Sequence, residues 1–258
     1  MKKYKAGKKN RRVWLDSVVI ILTMVAGCAV YLNDYYRALP EALAVLEQAP
    51  EGVTISEEKN KQIVFVPENA QAGLIFYPGG KVQYEAYAPL MTELAEEGIL
   101  CVLLHMPGNL AVLDMNAADG VLDEYPDVEE WYIGGHSLGG SMAASYIDKH
   151  ADEFEGLVLL AAYSTADLTD DDLEIISVYG SEDKVLNAEK YEEYRGNLPE
   201  DFGEEIIESG NHAFFGMYGA QDGDGEAGIT NEEQIRQTVD VIVEQFFVRN
   251  PSKPNLSK

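Results

Sequence analysis

The sequence predicts an α/β domain, a mostly parallel sheet covered by helices on both faces, preceded by one membrane-spanning segment. Three observations carry this reading. Short, nearly continuous apolar runs alternate with helix-like stretches from residue 53 onward, the pattern of strands buried on both faces. An uninterrupted apolar stretch follows a basic N-terminus. The pentapeptide Gly135-His136-Ser137-Leu138-Gly139 lies between one apolar run and one helix-like segment.

The N-terminal stretch comes first. Residues 1–12 carry seven Lys and Arg side chains and no acid, and residues 13–32 are apolar apart from Ser, Thr and the single charge Asp16. About 20 residues is the length a helix needs to cross the bilayer core. The basic cluster stays on the cytoplasmic side, so residues 1–12 read as a cytoplasmic tail and the rest of the chain as extracytoplasmic. Three fates compete: an uncleaved signal anchor, a cleaved signal peptide, and lipoprotein processing at Cys28, since Val25-Ala26-Gly27-Cys28 resembles a lipidation box. The apolar run continues through Ala29, Val30, Tyr31 and Leu32, which favours the anchor over lipidation. Its length and poor small-residue site favour the anchor over cleavage. The expectation is a single-pass cell-membrane protein. Residues 33–52 read as a juxtamembrane linker. Leu39, Ala42, Leu43 and Leu46 recur at helical spacing around Pro40, predicting a short helix with no chemistry of its own.

Charge excludes some functions. The net charge is −26, and beyond the basic tail 12 basic face 45 acidic side chains, a net of −33. Such a domain repels nucleic acid and anionic headgroups, and the excess reads as solubility. Two cysteines, Cys28 and Cys101, give no disulfide framework.

Within the expected domain, residues 53–250, strands are predicted at 63–66, 72–77, 99–104, 131–134, 157–161, 174–179 and 206–207. Helices are predicted at 87–97, 138–149 and 231–248, the last opened by Thr230-Asn231-Glu232-Glu233, which resembles a capping box. Residues 251–258 form a polar tail. Sites in such sheets lie beyond the carboxyl ends of strands.

That rule directs attention to Ser137. In G-x-S-x-G a strand turns sharply into a helix with the serine at the apex, and side chains two residues either side would clash, so both are glycine. The N–H of Leu138 then opens a helix and points at the same spot. Serine needs a base. Of four histidines, His136 lies inside the turn and is expected to point away, and His150 ends the next helix. His105 follows a strand and is expected to line the site. His212 follows the last strand and leaves room for an intervening acid, so it is the favoured base. Asp183 ends the 174–179 strand after a glycine and is the favoured acid, with Glu182 beside it. Tyr77-Pro78-Gly79-Gly80-Lys81 leaves another strand at the correct end, so Gly80 or Lys81 is the expected second oxyanion donor. Tyr77, His105, Phe214 and Phe215 are the candidate substrate-pocket residues, with core packing the equal alternative for Phe214 and Phe215 and a place behind the site or in the core the alternative for His105. Asp222-Gly223-Asp224-Gly225-Glu226 and Glu233 partly fit a calcium loop, but Ala227 stands where the turn needs glycine, so a solvated acidic loop and no metal are expected.

At these residues the chain resembles the α/β-hydrolase superfamily, and more narrowly bacterial membrane-anchored serine hydrolases related to the dienelactone-hydrolase-like branch. The matching pieces are Phe76-Tyr77-Pro78-Gly79-Gly80-Lys81-Val82, Met106-Pro107-Gly108-Asn109-Leu110-Ala111, Gly134-Gly135-His136-Ser137-Leu138-Gly139-Gly140, Tyr179-Gly180-Ser181-Glu182-Asp183 and Gly210-Asn211-His212-Ala213-Phe214-Phe215-Gly216. The resemblance implies a Ser137–Asp183–His212 triad and hydrolysis of a small-molecule ester without a cofactor. Dienelactone hydrolases use cysteine where this chain has Ser137, so their substrate is not carried over. Only about ten residues separate Ala162 from Leu173, too few for an inserted cap, so an open site is expected. Acyl transfer and a non-catalytic binding domain are the rival functions. No oligomeric state follows from the sequence.

Overall fold

The structure, a computed structural model, describes residues 3–245, without the side chains of residues 3–12, 28 and 29. The Cys28 side chain, the end of the last expected helix at 246–248 and the tail at 251–258 lie outside the described residues. The chain divides into two compact units, Met1–Tyr35 and Tyr36–Lys258.

The first unit is one helix, α1 (Lys3–Asn33). Its Val13–Asn33 portion has a mean hydropathy of 2.2 and is long and apolar enough to cross a membrane, a test that a signal sequence also passes. Its hydroxyls do not stay unpaired: Ser17 Oγ donates to Val13 O at 3.0 Å and Thr23 Oγ1 to Val19 O at 2.9 Å. Back-bonding of this kind is how a helix carries polar side chains into an apolar medium.

The second unit begins at Tyr36, and backbone bonds tie its first residues in: Tyr36 N–H donates to Lys81 O and Leu39 N–H to Met217 O, both at 2.8 Å. Helix α2 (Pro40–Glu47) follows, with proline in its first turn, where no N–H is needed. It buries Ala42.

Eight strands form one sheet: β1 (Val53–Glu57), β2 (Ile63–Pro67), β3 (Ala72–Tyr77), β4 (Ile99–Leu103), β5 (Trp131–His136), β6 (Gly156–Leu160), β7 (Glu174–Gly180) and β8 (Gly203–Ile207). Their order is β1-β2-β4-β3-β5-β6-β7-β8. β1 and β2 pair antiparallel, as do β2 and β4, and all other pairs are parallel. The helices are α3 (Ala88–Glu96), the short α4 (Val121–Glu124), α5 (Leu138–Ile147), α6 (Ala188–Tyr194) and α7 (Asn231–Val243). Thr230 caps α7, its Oγ1 accepting the Glu233 N–H at 3.2 Å.

Successive side chains of each central strand enter different cores. Leu74 and Phe76 of β3 pack with Leu90, Met91 and Leu94 of α3 and Ile235, Val239 and Ile242 of α7. Ile75 and Tyr77 pack with Ala143, Ala144 and Ile147 of α5. With both faces covered, every position must be apolar, which is why these strands read as continuous runs. Residues 161–173, between β6 and β7, contain no helix or strand, so no cap domain stands over that connection.

Candidate active site

Three parallel strands deliver the key side chains to one edge of the sheet. Ser137 follows β5, Asp183 follows β7 and His212 follows β8. Register keeps those carboxyl ends level: His136 pairs with Leu160, Leu160 with Val178, and Gly180 with Ile207.

Ser137 occupies a left-handed conformation, φ 53° and ψ −122°, which costs a non-glycine residue about 1–3 kcal/mol. Surrounding bonds hold it there. Its N–H donates to Leu160 O at 2.9 Å, and its carbonyl accepts Ser141 N–H at 3.1 Å in the first turn of α5. Gly139 shows why the turn excludes side chains. A Cβ there would collide with the carbonyl oxygens of Tyr77 and Pro78.

Asp183 Oδ2 lies 2.8 Å from His212 Nδ1, and both side chains are 2% exposed. Asp183 Oδ1 accepts the N–H groups of Val185 and Leu186, each at 2.8 Å. The carboxylate is thus fixed by its own loop before it meets the histidine. With Nδ1–H donating to Asp183, His212 Nε2 is the acceptor; it is buried and has no partner among the described residues.

The histidine loop is held by side chains that sequence reasoning missed. Gln234 of α7 is fully buried. Its Oε1 accepts Asn211 N–H at 3.0 Å and its Nε2 donates to Asn211 O at 2.8 Å. Asp224 Oδ2 accepts Ala213 N–H at 2.9 Å, while Oδ1 accepts Lys184 N–H at 3.3 Å and Gly225 N–H at 2.8 Å. One carboxylate therefore ties the acid loop to the histidine loop. The acidic run that partly fits a calcium loop places Asp224 in this role, and among the described residues no group of side chains could hold a metal ion. A glutamine on the apolar face of an amphipathic helix was the available signal for Gln234.

His136 does not simply turn away. Its ring is buried and lies 4.6 Å, centroid to centroid, from that of His212. Tyr87 Oη accepts Gly79 N–H at 3.0 Å and sits 2.8 Å from His136 Nδ1. Tyr87 Oη thereby links the glycine loop to the His136 ring. Burial first, and the neighbouring His212 second, hold its pKa well below the ordinary value.

In the glycine-rich loop after β3 the two expected oxyanion donors are bonded differently. Lys81 N–H donates to Asn109 O at 2.7 Å, so Lys81 is corrected: its donor is already spent. Gly80 N–H has no acceptor among the described residues. A Cβ on Gly80 would come within 2.9 Å of Leu138 Cδ2, so Gly80 abuts the first residue of α5, whose own N–H has no partner within the helix.

The pattern that defines the alpha/beta hydrolase family matches residues 73–236. The chain belongs to that family. No curated protein matches it. Among solved structures, this alpha/beta hydrolase is similar to a predicted CIB-like hydrolase from Thermoplasma acidophilum, at 18% identity and TM-score 0.52, covering 74% of this chain and 99% of the other. It is also similar to Est1E from Butyrivibrio proteoclasticus, at 14% identity and TM-score 0.53, covering 76% and 99%. A structure of Est1E with ferulic acid bound aligns at 13% identity and TM-score 0.55, covering 76% and 96%. At such identities the likeness is one of fold.

The hydrolase places its candidate pocket residues unevenly. Tyr77 is corrected: its ring is wholly buried in the α5-side core and its hydroxyl donates to Met115 O at 2.7 Å. Phe215 follows the core alternative, being fully buried beside His136 at 5.6 Å between ring centroids. Aromatic type alone does not separate a pocket wall from a core filler. Phe214 is half-buried, and its N–H donates to Asn211 Oδ1 at 3.1 Å. His105 meets Tyr84 edge-on at 5.0 Å between centroids. Burial and nearby Lys61 lower its pKa. A cavity of about 470 Å³ lies at the other edge of the sheet, beside Gln71, Glu97 and Gly98, and holds none of these groups.

Proposed function

We propose that this chain is a serine hydrolase that cleaves carboxylic esters through Ser137, His212 and Asp183, tethered to the cell membrane by α1 with its domain on the extracytoplasmic side. The observation that carries the reading is the buried His212–Asp183 pair with an unpartnered Nε2, its ring 4.6 Å from that of the residue preceding the strained Ser137.

His212 Nε2 takes the Ser137 proton as Oγ attacks the ester carbonyl. Asp183 keeps the imidazole in the required tautomer and stabilises the imidazolium. The tetrahedral oxyanion is held by the N–H groups of Gly80 and Leu138, the latter at the positive end of α5. Collapse expels the alcohol, which leaves with the proton from His212. Water then attacks the acyl-enzyme, gives its proton to His212, and the acid departs as Ser137 recovers that proton.

The test uses the full chain in detergent, as wild type and as Ser137→Ala. A fluorophosphonate probe and p-nitrophenyl esters of increasing chain length report the nucleophile. Aromatic esters belong in the panel because Est1E binds ferulic acid. Labelling and turnover that both vanish in Ser137→Ala support the reading, and a folded wild type that neither labels nor turns over any ester sinks it. Protease accessibility of the domain on intact cells reads its side of the membrane.

A further inference from the structure

We propose that residues 36–39, the first residues of the domain after α1, act as a clasp that positions the oxyanion loop against the histidine loop, with Tyr36 as its central positioning residue. The inference rests on the reading of Gly80 as an oxyanion donor.

Tyr36 pairs in parallel with Val82 in an isolated bridge. Its N–H donates to Lys81 O at 2.8 Å and its carbonyl accepts Gln83 N–H at 2.8 Å. Ala38 N–H donates to Gln83 Oε1 at 3.2 Å. These bonds grip the oxyanion loop. The same four residues grip the histidine side. Leu39 N–H donates to Met217 O at 2.8 Å. Tyr36 Oη accepts Asp222 N–H at 3.1 Å, and the Tyr36 ring lies 5.6 Å from that of Tyr218. One short segment thus bonds both loops that must converge on a substrate carbonyl.

The grip matters because the oxyanion loop is not in a relaxed conformation. Lys81 has φ 59°, a left-handed value that a β-carbon disfavours and that persists only where the surroundings over-determine it. Its peptide groups are pinned from two directions: Lys81 N–H by Asn109 O, and Lys81 O by Tyr36 N–H. The adjoining Val82 N–H donates to Gly79 O at 3.3 Å. Gly79 O and Gly80 N–H belong to one planar peptide unit, so fixing the carbonyl fixes where Gly80 N–H points. Without Tyr36, Lys81 loses one of its two restraints and the Gly80 donor loses its aim. A misaimed oxyanion donor weakens transition-state stabilisation more than substrate binding.

The experiment compares full-length wild type with Tyr36→Ala, which removes the ring and its hydroxyl, and Tyr36→Pro, which removes the N–H to Lys81. The readouts are kcat, KM, thermal midpoint, and hydrogen exchange at the amides of Val82 and Gln83. The expected result for Tyr36→Pro is a fall in kcat of about tenfold or more, KM within about twofold, and faster exchange at Val82 and Gln83, at a temperature where the variant is fully folded, with a smaller fall for Tyr36→Ala, which keeps the N–H and loses only the contacts to Asp222 and Tyr218. A kcat equal to wild type in a folded Tyr36→Pro, which lacks the N–H that holds Lys81 O, overturns the proposal. So does a loss of kcat in Tyr36→Pro that disappears on cooling in step with the recovery of its folded fraction. If the wild type itself turns over no ester, the ester-hydrolase reading fails on its own. The exchange rates then decide the clasp, and unchanged protection at Val82 and Gln83 overturns it.

Discussion

The two halves of the candidate site are built by different means. On the acid–histidine side, after β7 and β8, buried side chains fix the loops: Asp183 on Val185 and Leu186, Asp224 on Lys184 and Ala213, Gln234 on Asn211. On the oxyanion side, after β3 and β4, backbone groups mostly bond each other: Lys81 with Asn109, Val82 with Gly79, Tyr36 with Lys81 and Gln83. The difference teaches where each half can be attacked. Side-chain anchors are removed by substitution, whereas backbone anchors survive it and yield only to proline or to an added Cβ.

The largest effect is expected at the shared point of the first half. Asp183→Asn keeps the shape but reverses the hydrogen bonding to His212, leaving the wrong tautomer. In serine hydrolases that change costs about 10⁴ in kcat, and steady-state kinetics on a p-nitrophenyl ester would read it. Asp224→Ala should follow, at about 100-fold in kcat, because three N–H groups lose one acceptor and both loops are free to shift by about an ångström. Crystallography of the variant would show the displaced loops; unmoved loops with low activity would contradict this account. On the oxyanion side, Gly80→Ala should cost only about tenfold in kcat, since the added Cβ meets the flexible end of Leu138, 2.9 Å away, which can yield. A loss larger than that of Asp224→Ala would erase the contrast between the halves.

The smallest effect concerns stability and pH. His136 is buried with a folded pKa well below its ordinary 6.5. The unfolded chain therefore takes up a proton that the folded chain refuses. The folded state is fully favoured above about pH 6.5 and loses ground as pH falls below it, by at most about 1.4 kcal/mol per pH unit from this one group. His136→Gln should flatten the thermal midpoint's dependence on pH below 6.5, measured by circular dichroism. An unchanged slope would mean that His136 is not the group responsible.

Much of the fold was legible because burial on both faces writes itself as apolar runs. β3 is predicted to the residue, and β4, β6 and β7 within one residue at either end. The edges were harder. β1 reads Val-Thr-Ile-Ser-Glu and buries only Val53 fully, so it carries no continuous run. β8 begins Gly203-Glu204-Glu205, and only its two isoleucines signal a strand, because Glu204 faces Arg195 and Tyr191 instead of a core. α6 buries only Tyr191 and so shows no apolar stripe. In the candidate site, the placement of Ser137, Asp183 and His212 after strands was legible from spacing. The choice between Gly80 and Lys81 was not, because the deciding acceptor, Asn109, arrives from another loop. Nor was the role of Asp224, which read as part of a solvated acidic loop while its carboxylate serves backbone donors.

The connection between β6 and β7 carries a consequence for the fate of the reaction. Thirteen residues without helix or strand join β6 to β7, and Ser137 beside them is partly exposed. An acyl group on that serine would have no cap domain from this connection to shield it from water. Any alcohol acceptor would then compete with water by abundance alone, with no closed chamber to favour it. Such a catalyst releases acids unless a second substrate is held nearby at high local concentration.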